Sequence, residues 1–362
     1  MGRTRSLLVL RPILFASAAT SAAAAVSPLV GRFVPVGRIA AVPAFLGPRS
    51  QHYRGAAQGT VLATSATSLM ATRTNQIGAE PEGKEKRGLY LFDFDGVICD
   101  SCDECTIAAL RTVRSLGVLD DDEEAILEGT ESPPRWLLEE MREIRPAIEV
   151  GWQIPVMLAV LLNQKKGGEG GAKSAGVTTE EVITNYESLV SSTLGRWGKT
   201  DRDMIEAFGG VRDRWMADDL QSWLEANSFY PGIPEGVSSC RGEAAVVTTK
   251  QQRFAIALMR HAGVEGGNLP DSDIYGLGMY KAKSDVIVDR MKEGKYSPQD
   301  THFFEDRWPT LAKCLKDDRL EGVRFYLCDW GYVAPHEREL AKAEERVEIL
   351  PLNRFGDVVA SP

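Results

Sequence analysis

The chain has 362 residues, 43% of them apolar, enough for a real core in one large domain or two. Its charge is unevenly spread: residues 1–79 carry eight Arg, no Lys and no acid, leaving 34 basic against 51 acidic residues, a formal charge of −17, for the remainder. So acidic a body excludes nucleic acid and anionic lipid as bulk partners, and six cysteines in this length do not make a disulfide framework.

The acid-free leader, 1–79, is rich in Ala, Ser and Arg and reads as an organelle-targeting segment. A signal peptide followed by a plastid transit segment has this composition, and so does a mitochondrial presequence; the plastid is the favoured address. The run "LLVLRPILFASAAT" is interrupted by Arg11 and Pro12, and no later run is long enough to span a bilayer, so no membrane partner is expected. A charged linker, 80–87, leads into the apolar strand "GLYLF".

From Thr106 to about Ser228 the apolar spacing is helical. Leu137, Met141, Ile144 and Ile148 share one helix face, which Pro146 should kink or split. "IPVMLAVLL" is too short to span a membrane and reads as a buried helix. "KKGGEGGAKSAG" is a flexible break, after which Thr178 and Glu181 form a capping-box start. From "FYPGIP" onward strands ("EAAVVTT", "DIYG", "THFFED", "VRFYLCDW", "VEILPL") alternate with helices ("QQRFAIALMRHAG", "KSDVIVDRMKEG"). That pattern predicts an α/β fold: one parallel sheet covered on both faces, with core segments 88–101 and 229–362 interrupted by a helical insertion, 102–228.

In a parallel α/β sheet, ligands bind at the carboxyl ends of the strands. The predicted strands end in Asp93 and Asp95, in Thr248 and Thr249, near Lys281 and Lys283, and in Glu305 and Asp306. Acids at two strand ends, a hydroxyl at a third and a lysine near a fourth suit a hard divalent cation and a phosphoryl group. "FDFDGVICDS", "VVTTK", Lys283 opening "KSDVIVDRM" and "FFEDRWPTL" resemble, in order, the four motifs of the haloacid dehalogenase (HAD) superfamily. "FYPGIPEGV" and "DWGY" are similar to segments of its phosphoglycolate phosphatase and beta-phosphoglucomutase branch. The resemblance covers 88–362.

It implies a Rossmann-like core with 102–228 as a helical cap, and a Mg²⁺-dependent phosphatase acting on a small phosphorylated metabolite. By the same resemblance Asp93 is the nucleophile and Asp95 the general acid and base. Thr248 and Lys283 bind the phosphoryl group, Lys283 being preferred to Lys281 because it directly precedes a helix. Mg²⁺ lies among Asp93, the Asp95 carbonyl, Asp306 and Glu305. Substrate contacts are expected from Thr249, Lys250 and Arg145, with Arg142, Glu149 and Trp152 of the same cap segment as further candidates. A sugar phosphomutase keeps the same fold; a Mg²⁺-binding interaction module without turnover is the reading from another class.

Cys99, Cys102 and Cys105 overlap the first motif at CxxCxxC spacing, but Ala109 stands where a ferredoxin-type fourth cysteine belongs. Carboxylate chemistry is therefore expected over a sulfur-bound metal or redox centre. "GRWGKT" lacks the first glycine of a phosphate-binding loop, and the four histidines, showing no catalytic spacing, are expected at the surface.

Overall fold

The computed structural model describes residues 88–166, 178–264 and 269–360. The predicted leader and linker, most of the glycine-rich break and His52 lie outside them. Chain order begins with β1 (Leu89–Phe92), β2 (Cys99–Asp100), α1 (Cys102–Leu116), α2 (Asp121–Ile126) and α3 (Arg135–Ile144). It continues with α4 (Ile154–Lys166), α5 (Thr179–Trp197), α6 (Asp201–Asp218), α7 (Leu220–Glu225), β3 (Ser228–Phe229), α8 (Ile233–Ser239) and β4 (Glu243–Val247). Next come α9 (Gln252–His261), β5 (Ile274–Tyr275), α10 (Lys283–Gly294), β6 (Thr301–Glu305) and α11 (Trp308–Leu315). The last elements are β7 (Arg324–Cys328), α12 (Pro335–Lys342), β8 (Val347–Leu350) and α13 (Phe355–Ala360).

Among the described residues, one parallel sheet runs in the order β5-β4-β1-β6-β7-β8, the α/β architecture expected. β1 is central, with Leu89 opposite Glu243 on one side and Thr301 on the other. Its four residues are all buried because successive side chains enter different cores. Tyr90 and Phe92 pack with Val246, Phe304 and Phe355, whereas Leu89 and Leu91 pack with Val247, Phe303 and Ile287. Each fully buried side chain of this size contributes about 1.5–3 kcal/mol.

The inserted helices have their own core. α4 lies against α1, α2, α3 and α5, and Ile154–Leu162 is buried along its whole length, which explains a run that is apolar on every face. Pro146 acts as expected: α3 stops at Ile144 and a 3-10 turn, Arg145–Ala147, follows. Thr178 and Glu181 form the expected capping box, and Thr200 with Asp203 repeats the device at α6. β2 and β3 pair antiparallel, joining the two chain segments that enter and leave the insertion. Among the described residues no helix is long and apolar enough to cross a membrane.

Candidate active site

β1 ends at Phe92, and the backbone N–H of Asp93 still donates to Phe304 O (2.9 Å), so Asp93 leaves the sheet beside the end of β6. There it meets Glu305 and Asp306. One oxygen from each of these three buried acids lies within 4.8 Å of the others, a spacing and donor type that fit a divalent cation. Lys283, the first residue of α10, reaches in with Nζ 2.9 Å from Asp93 Oδ1 and 2.8 Å from Glu305 Oε2.

One ammonium does not balance three buried carboxylates. Burial, with the neighbouring Glu305 and Asp95 charges, pushes Asp93 up to about 6 against the pull of Lys283. Burial and the Asp93 charge push Asp306 up to about 6 as well. Burial also disfavours the charge on Lys283, but Asp93 and Glu305 overcome it and hold the ammonium well above the usual lysine range. Asp306 Oδ2 accepts from the Tyr332 backbone N–H (2.7 Å), while among the described residues its Oδ1 is buried with no hydrogen-bond partner. An orphaned buried carboxylate oxygen is costly unless something else meets it, and a cation held with Asp93 and Glu305 would do so.

Backbone proximity sets this corner. Gly96 turns the chain after the aspartates at φ +89°, and a Cβ there would fall 1.8 Å from Asp306 Oδ2. A Cβ on Gly331 would fall 2.2 Å from the Gly96 carbonyl.

Asp95 lies outside the carboxylate cluster. Its Oδ1 accepts from Ser101 Oγ at 2.5 Å and faces Lys250 Nζ at 3.0 Å. Burial raises its pKa, but Lys250, Arg145 and Ser101 together outweigh that and leave it below the ordinary aspartate value. Thr248 is fully buried at the end of β4, where its Oγ1 accepts from the Lys250 N–H (3.1 Å) and keeps its own proton to donate.

The structure brings Asp93, Asp95, Thr248, Lys283, Glu305 and Asp306 to one edge of the sheet. It separates the two lysine candidates: Lys283 enters the carboxylate cluster, and Lys281 lines the cavity in front of it. That cavity, about 280 Å³, is also lined by Asp93, Glu149, Thr249, Tyr280 and Arg307.

The residues expected to touch substrate differ among themselves. Lys250 is buried and its ammonium is directed at Asp95, a placement that its position after the second motif did not reveal. Thr249 donates to the Glu149 carbonyl (3.0 Å), which ties the end of β4 to the segment before α4. Arg145 is buried with its guanidinium 4.2 Å over the Tyr332 ring; Nη1 donates to Ile148 O, and among the described residues Nε has no partner. With Trp152 and Lys250 it borders a small cavity beside Asp95. Arg142 is taken up at the base of the insertion, by Asp100 (2.5 Å) and Asp103 (2.8 Å).

The chain is similar in structure to a "predicted phosphatase" from Clostridium acetobutylicum, with TM-score 0.45, 15% identity, and coverage of 75% of this chain and 98% of that one. It is also similar to a haloacid dehalogenase-like family hydrolase from Streptococcus pneumoniae (TM-score 0.40, 18% identity, 70% and 89% covered). A third likeness is to a "predicted phosphoglycolate phosphatase" from Haemophilus somnus (TM-score 0.43, 13% identity, 76% and 98% covered). No family model and no curated protein matches the chain.

All six cysteines are buried and free, and among the described residues they form no metal-binding group. Burial pushes the Cys102 thiol up to about 12 and raises Cys99 well above the usual thiol value, which disfavours the reactive thiolate. "GRWGKT" is a helix–helix corner in which Gly198 caps α5 and Thr200 starts α6. His261 and His336 are exposed as expected, but His302 is not. It is buried in β6, stacked on Tyr90 with ring centroids 4.6 Å apart, its Nδ1 3.0 Å from Tyr326 Oη. Its place in a central strand, covered on both faces, overrides the usual surface preference of a lone histidine.

Proposed function

We propose that the protein is a Mg²⁺-dependent phosphatase of the haloacid dehalogenase type, acting on a small phosphorylated metabolite through an aspartyl-phosphate. The observation that carries this reading is the contrast between two aspartates only two residues apart. Asp93 stands in a lysine-and-carboxylate cluster fit for a cation, while Asp95 stands outside it with a lysine of its own. Such divergent surroundings divide two like groups between two roles.

Asp93, Glu305 and Asp306 would hold Mg²⁺ through oxygen, and the bound cation would supply positive charge to the phosphoryl oxygens. Asp93 Oδ attacks phosphorus as the bond to the leaving oxygen breaks, and the Asp95 carboxyl gives that oxygen its proton. The Asp95 carboxylate then takes a proton from water, whose oxygen attacks phosphorus and frees Asp93 and inorganic phosphate. The incoming phosphate dianion raises the proton affinity of Asp95, so a group that rests as carboxylate serves in both steps. Thr248 donates to a phosphoryl oxygen and Lys283 balances its charge.

The cavity of about 280 Å³ supports a small substrate. The acid-free leader supports import into an organelle, the plastid ahead of the mitochondrion.

The test is phosphate release from a panel of small phosphate esters, with and without Mg²⁺, by the protein and by Asp93→Asn. Metal-dependent release that is lost in the variant is expected; release that persists in Asp93→Asn would remove Asp93 as the nucleophile.

A further inference from the structure

Glu104 has no part in the chemistry above, yet it is a fully buried carboxylate in the first turn of α1. Such a charge is tolerated only among cations and donors. Arg212 of α6 grips it with two bonds of 2.8 Å, Nε to Oε1 and Nη2 to Oε2, and the Trp223 indole of α7 donates to Oε1 at 3.1 Å. Arg212 is itself wedged, with its guanidinium 4.0 Å over the Phe208 ring. Glu104 is therefore fixed to two helices of the insertion.

One more cation faces it. Lys250 Nζ lies 3.9 Å from Glu104 Oε2 and 3.0 Å from Asp95 Oδ1, with 1% of the lysine side chain exposed. Among the described residues no third carboxylate comes within ion-pair distance of that ammonium. The lysine that holds Asp95 is thus set between Asp95 and one anchored anion. Removing the charge of Glu104 leaves Arg212 and Lys250 as neighbouring buried cations with Asp95 as their nearest acid, and both would be drawn from their places.

We propose that Glu104 is the positioning residue of the acid–base aspartate, acting through Lys250 and tying Asp95 to α6 and α7. This rests on the phosphatase reading, in which Asp95 protonates the leaving oxygen. A misplaced proton donor matters most where the leaving oxygen most needs the proton, so the loss should depend on the leaving group.

The test compares phenyl phosphate with p-nitrophenyl phosphate, two esters of similar shape whose leaving oxygens differ in that need. Both are hydrolysed with Mg²⁺ by the full chain and by Glu104→Gln, Glu104→Asp, Lys250→Met and Asp95→Asn. Glu104→Gln should lower kcat/KM about tenfold or more on phenyl phosphate and less than about threefold on p-nitrophenyl phosphate. It should add no further loss in the Asp95→Asn background, and Glu104→Asp, which keeps the charge, should recover part of the rate. Equal losses on the two esters, or none, would overturn the proposal. If Glu104→Gln does not fold, Lys250→Met decides: a loss confined to phenyl phosphate supports the proposal and an equal loss on both refutes it. Absence of phosphate release by the unmodified chain from either ester would overturn the phosphatase reading itself, and that failure is visible before any variant is made.

Discussion

Lys283 Nζ lies 2.9 Å from Asp93 Oδ1, joining the first turn of α10 to the end of β1. Lys281, two residues earlier, lines the cavity without entering the carboxylate cluster. Lys283→Met should therefore lower kcat by about 10²–10³, the scale of losing a charge at a phosphoryl centre, and Lys281→Met by less than about tenfold. Steady-state rates on one ester suffice; equal losses would mean that the two lysines share the role.

Asp93 and Asp306, both pushed up to about 6 by burial, give metal binding a pH dependence of definite sign. Without metal the folded protein keeps protons that the unfolded chain releases between pH 4 and 6. This pair therefore withdraws stability as pH rises through that window. A cation requires the deprotonated acids, so its stabilisation should be small at pH 5 and reach about 2.7 kcal/mol at pH 7.5 with Mg²⁺ at a hundredfold its Kd. Thermal melts with Mg²⁺ or chelator at the two pH values would show it, and Asp306→Asn should abolish the difference.

His302 titrates in the opposite sense. Burial, with Arg324 nearby, lowers it to about 4 from an ordinary 6.5, so the unfolded state binds the proton more readily. The stability this confers is complete above pH 6.5 and is lost as pH falls toward 4. His302→Phe keeps the stack on Tyr90 and removes the titration. Between pH 7 and 4.5 the parent protein should lose on the order of 2 kcal/mol more than the variant. Urea unfolding at both pH values measures this, and parallel losses would disprove the assignment.

Gly96→Ala should damage the metal corner without touching a ligand. The new methyl group would fall on Asp306 Oδ2, and the backbone there has φ +89°. A metal affinity reduced about 10–100-fold, read by Mg²⁺ titration, is expected, as for a lost orienting contact. Unchanged affinity would show that Asp306 can move aside at no cost.

What the sequence revealed follows from how a parallel sheet works. Strands buried on both faces show as continuous apolar runs, and reactive residues gather at their carboxyl ends, so Asp93, Thr248 and Glu305 could be placed from spacing and motif order. The helical start at Lys283 favoured it over Lys281, and Lys283 is the one of the two that contacts Asp93 and Glu305. Glu104 gave no such signal. Its partners Arg212 and Trp223 lie 108 and 119 residues away, and only the packing of α6 and α7 on α1 brings them together. Tyr332 was hidden differently: it holds Asp306 through a backbone N–H, which any residue type supplies. His302 was misjudged because a strand interior buries what a lone histidine's usual surface preference would leave exposed.

The central place of β1 has a consequence during synthesis. Both of its sheet partners lie far beyond the insertion in the chain, β4 on one side and β6 on the other. The helices from α1 to α7 leave the ribosome earlier and have a core of their own to collapse around. The strand that carries Asp93 must wait, unpaired and apolar, until β4 has been made, and it gains its second partner only when β6, which ends in Glu305, follows. Asp93 and the two acids it meets, Glu305 and Asp306, can thus come together only after β6 has been made, and an incomplete chain exposes a sticky strand before that cluster exists.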